Sequence, residues 1–152
     1  MSPEQVVAMT FLRSCQRHLG FLVSQFRFQP ANLEMKPDIH FITVTFMATN
    51  VGVECAFDER ERWVDISLIR PPTHGQPDSP GDRQTRGMAR ERLFTYLVRH
   101  GVRSYGLKPM PRGEDTPVDE LFDYQLSSAA SWLKQYCPDV LADSPSALDP
   151  SQ

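Results

Sequence analysis

The chain has 152 residues, of which 40% are hydrophobic and 23% charged, and its formal net charge is −3. This composition excludes a wholly disordered chain, and no apolar run approaches the about 18 residues that a membrane-spanning helix requires. We expect a cytoplasmic protein, because the chain starts without a secretory signal pattern. The length of the chain favours one domain, over residues 1–141, and the polar Pro- and Ser-containing segment over 142–152 is expected to be a disordered tail.

The first predicted element is a helix that continues to residue 25. Ser2 suits the N-cap, Pro3 the first helical position, and Gln5 completes a capping box. Gly20 interrupts the run, and we expect it to permit the close approach of a neighbouring segment. Apolar residues spaced by three or four predict one buried stripe: Val7, Phe11, Cys15, Leu19, Leu22 and Phe26.

Four strands are predicted next, because apolar and polar residues alternate in each of them. They cover residues 28–35, 39–49, 51–57 and 63–69. Pro30 lacks a backbone donor, which places the first strand at a sheet edge. The short connections favour an antiparallel meander, and the alternation indicates that one face of the sheet is covered.

Two further helices follow a loop over residues 71–87 that is rich in Pro, Gly, Asp and Ser. The second helix is predicted over residues 88–100 and the third over 118–137, with an irregular segment over 102–115 between them. The expected fold class is therefore α+β. In it, an antiparallel four-stranded meander packs on the N- and C-terminal helices in two layers.

No arrangement of residues typical of catalysis or metal binding stands out. The cysteines are odd in number and far apart, which predicts three small buried hydrophobic side chains: Cys15, Cys55 and Cys137. No two histidines have the helical spacing of metal ligands, and structural roles account for all four: His18, His40, His74 and His100. We predict no catalytic residues, no metal and no cofactor.

The outward face of the sheet is expected to carry both carboxylates and apolar side chains. Glu54 and Asp65 lie on neighbouring strands, and we expect Arg62 and Arg70 to balance their charge. Large apolar side chains at three outward positions require cover from the second helix, a partner or a second copy in a homodimer: Phe41, Trp63 and Ile69.

The feature that rises above the background is a basic stretch over residues 83–112, which has eight Lys or Arg residues against Glu91 alone. Arginines four residues apart share a helix face, which applies to Arg86 with Arg90 and to Arg99 with Arg103. The candidate partner-binding residues are these: Arg86, Arg90, Arg99 and Arg103. The alternative is a solvated face balanced by the acidic start of the last helix, with Asp119, Glu120 and Asp123.

Three functions remain open. The first is a non-enzymatic protein that binds another protein, either an acidic partner or a second copy of itself. The second is a nucleic-acid-binding protein that uses the same basic segment, although a pI near 5.8 counts against it because nucleic-acid-binding domains are usually far more basic. The third is an enzyme whose site is assembled from scattered residues.

Three phrases resemble a loose group of small, uncharacterised bacterial proteins with a helix, a β-meander and a closing helix. The phrases are FRF at residues 26–28, VGVECAFDER at 51–60 and LKQYCPDVL at 133–141. In that group a glycine is expected where this chain has Arg27. The resemblance implies an immunity-like or antitoxin-like partner protein and transfers no catalytic residue.

Overall fold

The computed structural model describes residues 2–70, 89–101 and 116–142. The predicted loop over 71–87, the irregular segment over 102–115 and residues 143–152 of the predicted tail lie outside these ranges. In chain order the elements are α1 (Pro3–Leu19), α2 (Phe21–Ser24), β1 (Asn32–Lys36), a 3-10 turn (Pro37–Ile39), β2 (Phe41–Met47), β3 (Gly52–Asp58), β4 (Trp63–Arg70), β5 (Ala89–Arg92), α3 (Leu93–Arg99), α4 (Val118–Tyr136) and α5 (Pro138–Leu141).

The start of α1 confirms the predicted capping box. The Gln5 N–H donates to the Ser2 hydroxyl oxygen at 3.2 Å, and the Ser2 N–H donates to the Gln5 side-chain oxygen at 2.9 Å. Pro3 occupies the first turn, where a helix leaves its N–H groups without intrahelical partners. Local sequence is therefore sufficient to define where this helix begins.

The end of the first helix differs from the prediction of one helix to residue 25. α1 ends at Leu19, and the chain continues through Gly20 into the separate short helix α2. A Cβ added at Gly20 would lie 2.5 Å from the Gln16 carbonyl oxygen, which is closer than a carbon atom can approach an oxygen to which it is not bonded. The close approach at Gly20 is therefore to the preceding turn of its own helix.

The sheet has five antiparallel strands in the order β1-β2-β3-β4-β5, so the prediction of four strands was wrong by one. β5 (Ala89–Arg92) pairs with residues 67–70 of β4, in a segment predicted to be the start of the second helix. Arg90 and Arg92 alternate with Glu91, and this period of two places both arginines on one sheet face. The helix itself begins only at Leu93.

The first strand is shorter than predicted, because β1 begins at Asn32 instead of residue 28. Gln29 still bonds to the next strand, since its N–H donates to the Met47 carbonyl at 2.7 Å. Pro30 then lacks a donor, and the regular ladder starts only after it. The prediction that this strand lies at an edge is confirmed.

The core lies between one face of the sheet and the helices. The predicted alternation in β2 is confirmed on this face, where Ile42, Val44 and Phe46 are buried. α1 and α4 pack against each other, and Phe11 and Phe122 meet at a ring-centroid distance of 4.8 Å. The Phe57 ring of β3 lies 4.7 Å from Phe122, in an edge-to-face arrangement that joins both layers.

The buried side chains of α3 belong to the same core, so the helices lie on one side of the sheet. The three cysteines are free and buried, which confirms their predicted role as small core residues. Within the described ranges, no helix is both long enough and apolar enough to cross a membrane. The chain is thus an α+β protein with an antiparallel sheet.

Candidate protein-binding surface

The four predicted partner-binding arginines do not lie on one helix. Arg90 lies on strand β5 and Arg99 near the end of α3, whereas Arg86 and Arg103 lie outside the described residues. The argument that Arg86 and Arg90 share a helix face is therefore wrong for Arg90. The described part of the basic segment is a strand followed directly by a helix.

Each described arginine of this segment contacts a nearby carboxylate. Arg90 pairs with Glu54 of β3 at 3.1 Å, and Arg99 donates two hydrogen bonds to Glu91, at 2.7 and 3.1 Å. These hydrogen bonds, which the Glu91 carboxylate accepts, raise the pKa of the Arg99 guanidinium. The three described arginines of the basic segment are therefore each balanced by a nearby carboxylate.

The carboxylates of the outward sheet face are balanced by β5 and not by the predicted arginines at 62 and 70. Asp65 lies 4.0 Å from Arg92 and also accepts a hydrogen bond from the Trp63 indole at 3.2 Å. The register places Ser67 directly opposite Arg92 and Ile69 opposite Arg90. The reason is the fifth strand, which brings both arginines beside the acids of β3 and β4.

The acidic start of α4 does not balance the described arginines of the basic segment. Its Asp123 instead contacts α1, where Arg17 lies 3.1 Å away and the His18 ring 3.0 Å away. This cluster links the two long helices. The predicted pairing of the basic segment with the last helix was therefore wrong for the described arginines, whose partners are in the sheet and in β5.

Exposed ion pairs are weak, and the Arg92–Asp65 pair is the most exposed of the three, because the carboxylates that bind Arg90 and Arg99 are only 13% and 27% exposed. The Arg92 side chain is 71% exposed and the Arg90 side chain 43% exposed. Pairs of this kind contribute only about 0–1 kcal/mol, because water screens the charges and ordering the side chains costs entropy. A carboxylate from another molecule can therefore compete for the Arg92 guanidinium at little energetic cost.

Two exposed apolar residues lie beside these arginines in the sequence. Phe94 and Val98 are 52% and 45% exposed, and their spacing of four places them on one face of α3. The buried stripe of α3 is formed by other residues: Leu93, Tyr96 and Leu97. Phe94 has the largest exposed fraction of any large apolar side chain in the described residues.

Sequence reasoning missed this pair, although a signal was present. Phe94 and Val98 lie outside the stripe that explains the packing of α3, and a surface helix normally presents polar residues there. By contrast, the outward apolar residues that were singled out are covered: Ile69 is buried, and Phe41 and Trp63 are half-buried. We name the exposed set the β5–α3 surface: Arg90, Arg92, Phe94, Val98 and Arg99.

The end of the β5–α3 surface is held by aromatic contacts. The Tyr96 and His100 rings stack at a centroid distance of 4.1 Å, and the Arg99 guanidinium lies 5.6 Å from the Tyr96 ring. Burial raises the pKa of the Tyr96 hydroxyl above its ordinary value. His100, one of the histidines expected to be structural, thus packs against the helix that it follows.

Two other kinds of site, a metal site and a cavity, give less support for a function than the β5–α3 surface. Among the residues that the structure describes, no group of three His, Cys, Asp or Glu side chains is placed to hold a metal ion. A cavity of about 450 Å³ lies between the chain after α2 and the turn after β2, and Arg27 is the one charged residue among the described residues of its lining. One exposed cation does not define a class of ligand.

No protein-family model matches this chain, and no match was found among the curated proteins or the solved structures.

Proposed function

We propose that this chain is a non-enzymatic cytoplasmic protein that binds another protein, and that the partner presents carboxylates to the β5–α3 surface. The single observation that carries this proposal is the exposed pair of Phe94 and Val98 on α3, which follows directly along the chain from Arg92 and its weak, exposed ion pair. An apolar anchor flanked by guanidinium groups is the usual composition of the energetically important part of a protein interface.

The neighbouring ion pairs support the same proposal. Arg92 is the most exposed of the three paired arginines, and its 4.0 Å separation from Asp65 is the longest of the three pairs. It therefore loses the least when it exchanges its intramolecular partner for a carboxylate of another protein. Glu54 and Glu91 keep Arg90 and Arg99 in position, so they shape the surface before binding.

The first test is capture of partners by the tagged full chain from a lysate of its source organism, with half of the lysate treated with nuclease. We expect a stoichiometric protein that survives nuclease treatment. Replacing Phe94 and Val98 together by serine should weaken its binding by about thirtyfold or more, because buried aromatic anchors typically contribute at least about 2 kcal/mol. Arg92→Glu should weaken it further at low salt.

Matched controls separate this surface from general surface effects. Val6→Ser removes an equally exposed apolar residue from α1, and Arg13→Glu reverses an exposed charge on the same helix. Both should leave binding unchanged. Retained material that disappears on nuclease treatment, with affinity falling steeply as salt rises, would instead indicate nucleic acid as the partner. Equal loss of binding in the control variants would refute the β5–α3 surface.

A further inference from the structure

The edge of the sheet opposite β5 carries a second surface, formed by β1. On one side β1 pairs with β2, and no other described strand lies on its other side. Natural edge strands usually limit pairing with other chains by being short, by carrying charged side chains or Pro, or by forming bulges. β1 is short and lies between Pro30 and Pro37, but its two charges are of opposite sign, so they can attract a second copy: Glu34 and Lys36 flank Met35.

The hydrogen bonds show which backbone groups of β1 face outward. In an antiparallel pair, residues alternate between those that bond to the partner strand and those that face away. The Glu59 N–H donates to the His40 carbonyl at 2.9 Å, so even-numbered residues of β2 bond to β3 and odd-numbered residues bond to β1. Glu34 lies opposite Thr43, and its carbonyl also accepts from the Thr43 hydroxyl at 3.3 Å.

It follows that Leu33 and Met35 direct their N–H and C=O groups toward the free edge. Their side chains lie on the helical face of the sheet, where Leu33 packs against the core and Met35 remains 37% exposed. The side chains of Glu34 and Lys36 lie on the outward face. The edge therefore offers outward backbone groups and a partly exposed thioether, with one charge on each side of it.

We propose that two copies of this chain pair antiparallel through β1, about a two-fold axis at Met35. In this register the Met35 backbones exchange both hydrogen bonds, and each Glu34 lies directly opposite Lys36 of the second copy. The two thioethers meet on the axis, where their flexibility allows them to pack together. The result is a continuous ten-stranded sheet with the helices of both copies on one side.

Two of the other symmetric registers conflict with the charges of β1, and a third lacks any attractive pair. Outward backbone groups must face each other, so odd-numbered residues must lie opposite odd-numbered residues. An axis at Glu34 places two carboxylates opposite each other, and an axis at Lys36 places two ammonium groups opposite each other. An axis at Leu33 leaves Glu34 opposite Asn32 and Lys36 opposite Pro30, so neither charge gains an opposite partner, whereas the register about Met35 gains two such pairs although it places Leu33 opposite Pro37. Like charges directly opposite destabilise a strand pair, whereas opposite charges stabilise it.

This inference goes beyond the proposed function and does not depend on it. β1 and β5 are the two opposite edges of the sheet, so a dimer through β1 leaves both β5–α3 surfaces available. The symmetry is isologous and closes at two copies, because each β1 edge is used once. Such a dimer would present two equivalent partner-binding surfaces.

Sedimentation equilibrium of the full chain over a range of protein concentrations tests the register. We expect the wild type to dimerise. Glu34→Lys and Lys36→Glu should each lower the association constant by roughly tenfold to a hundredfold, because each turns two attractive pairs into two repulsive ones. The double variant carrying both reversals restores opposite charges across the axis, so its association constant should return to within about threefold of the wild type.

Two further variants separate pairing from folding. Met35→Pro removes an outward N–H but no bond to β2, so the monomer should stay folded by circular dichroism while dimerisation is lost. Arg92→Glu, at the other edge, should leave dimerisation unchanged even where it abolishes partner binding. A wild type that remains monomeric, single reversals that dimerise as well as the wild type, or a double variant no stronger than the singles would each overturn the proposal.

Discussion

At the scale of single residues, three positions other than glycine adopt a positive φ among the described residues: Arg27 (62°), His40 (59°) and Arg62 (54°). Each lies where the chain leaves or enters a regular element, so the turn itself selects the conformation. A glycine adopts this region without steric cost, and that is the residue the sequence resemblance leads one to expect at position 27. These angles depend on the surrounding chain and are not readable from the residue types.

At Gly20, helix propensity and the structure predict stability changes of opposite sign for a substitution by alanine. Ala is favoured over Gly in a helix by about 1 kcal/mol. In the structure an added Cβ would meet the Gln16 carbonyl oxygen at 2.5 Å, and a backbone atom cannot move aside as a flexible side chain can. We expect Gly20→Ala to lower the free energy of unfolding by about 1–3 kcal/mol, measured by urea denaturation.

The control for this prediction is Gln16→Ala, which removes an exposed side chain one turn earlier and leaves the carbonyl in place. It should change the free energy of unfolding by less than about 0.5 kcal/mol. A Gly20→Ala variant as stable as the wild type, or more stable, would show that the α1–α2 junction relaxes freely.

At the scale of elements, the segment over residues 88–100 explains the one strand that was missed. Its apolar residues fit a helical stripe, and it is followed by Gly101, whose φ of 89° is typical of a glycine just after the end of a helix. Over the four residues of β5, however, a period of two fits the sequence equally well. The free edge of β4 and the carboxylates of Glu54 and Asp65 decide between the two, and neither is local to the segment.

α4 is joined to the sheet by a buried polar residue that its apolar stripe does not reveal. Gln125 is 1% exposed, and its side-chain oxygen accepts a hydrogen bond of 2.6 Å from the Val64 N–H. Its amide also donates to the Arg62 carbonyl at 3.5 Å. This residue therefore sets the position of α4 against the start of β4.

We expect Gln125→Leu to lower the free energy of unfolding by about 1–3 kcal/mol, because it keeps the apolar volume but leaves a buried N–H without its acceptor. Urea denaturation measures the change. Gln135→Leu, on the exposed face of the same helix, is the matched control and should have little effect. Equal stability of Gln125→Leu and the wild type would mean that water or another group satisfies Val64.

At the scale of the whole molecule, the buried cysteines make stability depend on pH in the alkaline range. Burial raises the pKa of the Cys137 thiol to about 12. It also raises the pKa of the Cys15 thiol, and a hydrogen bond with Cys55 adds to the effect. In the unfolded chain these thiols titrate near pH 8.5, so the folded state holds protons that the unfolded state releases.

The contribution of these protonated thiols to the free energy of unfolding is fully present below about pH 8.5 and is lost as the pH rises toward their pKa values in the folded state. We expect the free energy of unfolding to fall between about pH 8.5 and pH 10, by up to about 1.4 kcal/mol per pH unit for each of the Cys15 and Cys137 thiols. Urea denaturation at several pH values measures this slope. Cys137→Ala should reduce the slope, whatever its effect at neutral pH, and a flat profile would contradict the prediction.

The basic segment shows how far a candidate surface is predictable at this scale. The sequence indicates a cluster of arginines, but the ion pairs with Glu54 and Asp65 arise only when β3, β4 and β5 lie side by side. Ion pairing depends on distance through space, which residue spacing reports only within a single element. Phe94 and Val98, four residues apart on one helix, were detectable for that reason.

By itself the sequence determined what depends on neighbours a few residues away. The capping box at Ser2, the alternation of β2, the edge position of the strand after Pro30 and the α+β class all follow from local hydrogen bonding and periodicity. Only the tertiary structure decided that β5 is a strand, that α1 ends at Leu19, and that Asp123 binds Arg17 and His18 of α1. The strand β5 and the Asp123 contacts depend on residues that are distant in the chain. The end of α1 depends on how closely Gly20 packs on the preceding backbone turn, which the apolar stripe does not report.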